Sequence, residues 1–104
     1  MATVYIGQAV CSWSAPVSGG AVVTYTTKFG TASGGPYPTT YAVSAPTLSV
    51  RLQTANPSLG TFFSVVTASN AAGESAPSNE VQYTAIADVP TVAYRYTLVQ
   101  FAGR

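Results

Sequence analysis

Along the chain, β-branched and aromatic residues alternate with small polar ones in short stretches, and clusters of Gly, Pro, Ser and Asn interrupt them. Alternation with a period of two gives an extended strand one apolar face, and the interrupting residues are those that make turns. The pattern predicts strands at residues 2–6, 8–13, 22–28, 40–43, 48–52, 62–69 and 80–84, with breaks at 14–20, 30–38, 54–60 and 71–79. No stretch of ten or more residues keeps a helical period between caps. Short strands that each have one face to bury predict an all-β fold, with two antiparallel sheets packed as a β-sandwich.

Strand phase then assigns the core. Ala9, Cys11 and Trp13 share one face of their strand and Gln8, Val10 and Ser12 the other, so the first set is expected inside, with Trp13 central. Cys11 reads as a small packed hydrophobe rather than a reactive thiol. On the long strand at 62–69, Phe62, Ser64, Val66 and Ala68 face one way and Phe63 and Val65 the other. The expected core is therefore Cys11, Trp13, Tyr25, Phe62, Val66 and Val81. Phe63 and Val65, with Val10 as a companion, are expected on an outer sheet face as a contact surface.

Three segments carry a family resemblance. Gly7-Gln8-Ala9-Val10-Cys11-Ser12-Trp13-Ser14-Ala15-Pro16 is similar to the second strand and following turn of bacterial fibronectin type III modules, whose core tryptophan falls on Trp13. Gly19-Gly20-Ala21-Val22-Val23-Thr24-Tyr25 resembles the turn and strand whose tyrosine packs on that tryptophan. Val66-Thr67-Ala68-Ser69-Asn70-Ala71-Ala72-Gly73-Glu74-Ser75-Ala76-Pro77-Ser78 resembles the sixth strand and its loop. The resemblance covers residues 2–84 and implies a fibronectin type III-like sandwich over 1–84. The chain departs from the family in having Phe62 where a tyrosine hydroxyl usually anchors the corner, in a longer loop at 53–61, and in an abbreviated first strand. A shortened first strand leaves part of a sheet edge unpaired, which invites another chain.

Residues 85–104 continue past the last family strand as a C-terminal arm. Val92-Ala93-Tyr94-Arg95-Tyr96-Thr97-Leu98-Val99-Gln100-Phe101 is β-prone and carries one charge, too apolar for a disordered tail by composition. Tyr94, Tyr96, Leu98 and Phe101 are its candidate contact residues. The arm is expected either to fold back on its own body or to extend onto a neighbouring subunit as an added strand.

Composition narrows the chemistry. Only 7% of the residues are charged, against about 25% in ordinary soluble domains, and 14 Thr and 11 Ser supply much of the polar surface. Weak charge repulsion suits extensive contact with neighbours. The net charge of +1 gives no reason to expect nucleic acid or an anionic membrane, and no apolar run reaches the length of a membrane span. The first seven residues lack the features of a secretion signal, so the expected route is synthesis without export. There is no histidine and one cysteine, which removes the common general base, the Ser-His-Asp arrangement and a zinc site. Glu74 and Glu80 bracket a Pro/Ser loop and are expected at loop and strand ends rather than paired in a cleft. Gly30 to Gly35 reads as a turn and not a phosphate cradle, and Lys28 as a solvated strand lysine.

These readings give no catalytic, cofactor-binding or metal residues, and no cofactor. The expected function is that of a structural or interaction protein of a virion, a bacteriophage capsid decoration or tail accessory protein. Its partners are expected to be copies of itself or a capsid or tail protein, with no nucleic acid and no membrane insertion. The alternative is an extracellular binding or spacer module of a bacterial surface protein or carbohydrate-active enzyme.

Overall fold

The computed structural model describes residues 2–88. Within them the fold is all-β: β1 (Ala2–Tyr5), β2 (Val10–Ser12), β3 (Thr24–Gly30), β4 (Thr39–Ser44), β5 (Ser49–Arg51), a short helix α1 (Leu52–Ala55), β6 (Gly60–Asn70), β7 (Gly73–Glu74) and β8 (Val81–Ile86). The larger sheet runs β1-β8-β6-β3-β4, with β7 attached to the end of β6, and β2 pairs with β5 in a second sheet. The pairings are antiparallel except that of β1 with β8, which is parallel. That exception corrects the wholly antiparallel expectation. β1 and β8 come from opposite ends of the described chain, so no hairpin dictates their relative direction.

β3 is the spine of the larger sheet because its residues alternate cleanly. Tyr25, Thr27 and Phe29 are buried at 3%, 0% and 0% exposure on one face. The register puts Phe62, Ser64, Val66 and Ala68 of β6 and Tyr83 of β8 on that same face. The two sheets meet there. Ile6, Phe29, Leu52, Ala55, Tyr83 and Ala85 form the buried cluster, with Val4, Ala9, Cys11, Val50 and Phe62 packed against it.

Tyr83 holds this cluster together. Its ring meets Phe29 edge-on at 6.3 Å and stacks on Phe62 at 5.9 Å. Its hydroxyl accepts a hydrogen bond from Asn56 Nδ2 at 3.0 Å, and Asn56 is 1% exposed. Through this bond Tyr83 ties β8 to the long loop that follows β5. The same loop opens with α1, closed by Asn56 N–H donating to Leu52 O at 2.7 Å, so that Leu52 and Ala55 turn inward.

Three expectations change. Trp13 is not central: it is half-buried at the margin, while Phe29, Tyr83 and Asn56 occupy the middle. Val81 is not core: it is 51% exposed, because it starts β8 opposite Ser64, where the two-stranded sheet does not reach. The folded body also runs past Thr84. Ala85 is 1% exposed, and Asp88 Oδ1 accepts from the Gly7 N–H at 2.8 Å. A cut at Thr84 would therefore remove core.

Replacing Tyr83 with Phe keeps the ring contacts and strands the buried Asn56 amide. Denaturant unfolding should show a loss of about 1–3 kcal/mol. Burial pushes the Tyr83 phenol up to about 12 from the ordinary 10.0. Because the folded state holds the neutral form, this contribution is present below about pH 10 and is lost as the pH rises toward 12. Phenolate absorbance should lose a late-titrating tyrosine in Tyr83→Phe, while Tyr37, raised by its hydrogen bond to Glu80, still titrates late.

Candidate functional site

The two sheets are unequal, and that inequality makes the site. Two short strands, β2 and β5, cover one end of the larger sheet's apolar face, where Val50 and Leu52 pack by Phe29. Beside β2 the cover stops. A cavity of about 680 Å³ opens between β2 on one wall and β1, β6, β8 and the 75–79 segment on the others, with Cys11, Trp13, Tyr25, Val66 and Tyr83 among its lining residues. Protein interiors leave few voids larger than a water molecule, so this is a groove in the core rather than a packing defect.

Two features of the groove are polar and unsatisfied. Trp13 stands over Tyr25 with ring centroids 5.6 Å apart, and its buried indole N–H has no acceptor among the described residues. The second is the edge of β2. Ala9 O accepts from Leu52 N, and Trp13 N donates to Leu48 O, so Ala9, Cys11 and Trp13 direct their backbone groups toward β5. The alternation of an antiparallel ladder then turns the N–H and C=O of Val10 and Ser12 outward, along an edge that pairs with no strand among the described residues. Burial in this apolar setting raises the Cys11 thiol above its ordinary value, as befits a packed side chain.

The expected contact surface is not assembled as predicted. Val10 is 60% exposed on the outside of the two-stranded sheet. Phe63, half-buried, lies on the outer face of the larger sheet, so the two sit on opposite sides of the molecule. Val65 shares the outer face with Phe63 but is 4% exposed, which removes it as a contact residue. The cause is a polar bridge. Glu80 continues the β8 register opposite Val65 and accepts hydrogen bonds from Ser33 Oγ (2.7 Å), Gly34 N (2.7 Å) and the Tyr37 hydroxyl, all in the β3–β4 loop. These contacts reach across β6 at Val65. Tyr94, Tyr96, Leu98 and Phe101 lie outside the described residues.

Sequence reasoning missed both the groove and the bridge. Glu80 and its partners are more than forty positions apart, and no local pattern announces such a contact. The Gly30 to Gly35 turn is consistent with it. Gly30 is required there because a Cβ would sit 2.2 Å from Pro36 O, and Gly34 has φ +82°. Lys28 is not simply solvated: its amine pairs with Glu74 at 2.9 Å, and Glu74 also accepts from Thr67 Oγ1 at 2.6 Å. Glu74 and Glu80 are thus engaged separately, each with its own partners.

Comparison with protein-family models, with curated proteins and with solved structures finds no match for this chain.

The carboxylate bridges set an acid limit. The Tyr37 hydroxyl, with the Gly34 amide and Ser33 hydroxyl, holds Glu80 below the usual carboxylate range, and the Thr67 hydroxyl with Lys28 does the same for Glu74. Groups whose folded pKa is depressed contribute stability above their unfolded value and lose it as pH falls through the folded one. Melting temperature should therefore drop as the pH is taken below 4.5. The double variant Glu74→Gln, Glu80→Gln should be less stable at neutral pH and flatter in its acid dependence, as thermal melts would record.

Proposed function

We propose that the chain is a fibronectin type III-like β-sandwich that acts through protein contacts as a non-enzymatic structural component of a virion, a bacteriophage capsid decoration or tail accessory protein. The observation that carries the contact role is the groove beside β2, with an outward-facing strand edge and a buried indole N–H lacking an acceptor. Those are the requirements of an incoming peptide strand rather than of a reacting substrate. The sequence points the same way, since it contains no histidine for general base chemistry.

The sandwich reading is supported by the facing of β2 and β5 against the larger sheet and by Trp13 packing on Tyr25. That pair is the one the family resemblance implies. The virion assignment rests on two further points. Modules resembling this one recur on phage particles, and a surface with 7% charged residues suits dense repetitive packing.

Quantitative mass spectrometry of particles purified from the source should find the chain at a fixed, repeated copy number. Its recovery only from the outer surface of cells, joined to other modules, would replace this reading with that of an extracellular spacer module.

A further inference from the structure

We infer that the groove beside β2 is an acceptor for residues 92–101 of a second copy of this chain, which enters as an added strand. This deepens the contact role proposed above and rests on it.

The groove defines its occupant. It needs a backbone to pair with the outward N–H and C=O groups of Val10 and Ser12, an acceptor for the Trp13 indole N–H, and side chains to fill the apolar space between the sheets. A strand supplies all three at once, because its carbonyls pair with the edge while alternate side chains point inward. Residues 92–101 have the matching pattern. Val92, Tyr94, Tyr96 and Leu98 would fall on one face with Gln100 at its end, and Ala93, Arg95, Thr97, Val99 and Phe101 on the other. Ten extended residues span about 33 Å, more than the roughly 10 Å of the three-residue β2 edge.

The chain path favours another copy over the same one. The described chain ends at Asp88, fastened to Gly7 at the turn that joins β1 to β2. Arg51 also grips this turn, donating from Nη2 to Gly7 O at 2.7 Å. β1 lies at the outer edge of the larger sheet and β8 inside it. A chain leaving β8 here reaches β2 at the end where β2 begins, so its own segment would first run parallel to β2, in the less stable of the two ladders. A strand from a neighbour is free of that constraint and can pair antiparallel.

Two full-length variants test this. The donor variant, Tyr96→Asp with Leu98→Asp, spoils the inserting face and leaves the groove intact. The acceptor variant, Ser12→Pro, deletes an outward N–H from the β2 edge and leaves residues 92–101 intact; Ser64→Phe, which fills the groove from β6, is a second acceptor variant should Ser12→Pro fail to fold. Light scattering and native mass spectrometry over a concentration series should show the unaltered chain associating and each variant associating about 30-fold or more weakly. Mixing donor and acceptor variants should restore a one-to-one complex, since one intact segment and one intact groove remain.

Trp13 is the only tryptophan, so its single indole proton signal reports the site directly. It should carry the downfield shift of a hydrogen-bonded donor in the unaltered chain and in the mixture, and lose that shift in the donor variant alone. A monomeric unaltered chain, or association that survives the donor changes, overturns the inference. So do folded variants that fail to complement each other, which would point to insertion of the chain's own segment. A monomer found in fixed copies on particles would sink this inference alone, and an assembling chain missing from particles would sink the virion reading alone.

Discussion

The structure depends on how an extended apolar sheet face is covered. The larger sheet presents Tyr25, Thr27, Phe29, Phe62, Val66 and Tyr83 on one side, and strands β2 and β5 are only three residues long each. The cover is therefore concentrated at one end. There Tyr83 does three things together: it meets Phe29 edge-on, stacks on Phe62 and accepts the Asn56 amide. Aromatic contacts of this geometry add to the area they bury, and the hydrogen bond satisfies a polar group that is otherwise costly in the interior. The long loop after β5 is drawn in by the same bond, so α1 and its Leu52 and Ala55 complete the closed end. At the other end Trp13 covers Tyr25 alone, and the groove begins.

The elements were legible because alternation is a local signal. Every predicted strand is present within a few residues, and the face assignments on β2, β3 and β6 follow the period of two. What escaped depends on distance in sequence. Tyr83 and Asn56 are 27 positions apart, and Glu80 lies 43 from Tyr37 and 47 from Ser33. Val65 shows the consequence. Its outward phase was correct, but phase does not specify exposure when a polar bridge from two other elements passes over it. Trp13 shows the converse, since its inward phase was also correct but the three-residue strands of the second sheet leave it at the margin of the cover. The bond between the Asn56 amide and the Tyr83 hydroxyl is a third case, because it depends on the conformation of the loop after β5 and on no local pattern.

An unequal pair of sheets has a consequence for stability as well as contact. Apolar surface left open at Trp13, Val66 and Val81 is surface whose burial still favours association, at roughly 25 cal/mol per Å². A buried indole donor and an unpaired strand edge add direction to that drive, since only a partner with a backbone acceptor at the right place satisfies both. Charge does little to oppose it: the described body carries Lys28 and Arg51 against Glu74, Glu80 and Asp88, and all three carboxylates are already engaged within the fold. Residues 89–104 add Arg95 and Arg104 and no carboxylate side chain, so a body of net charge −1 would meet a segment of net charge +2. The attraction is weak in salt and serves orientation more than affinity. Affinity has to come from the aromatic face of the incoming strand, where Tyr94 and Tyr96 combine a ring for the apolar walls with a hydroxyl for the polar rim.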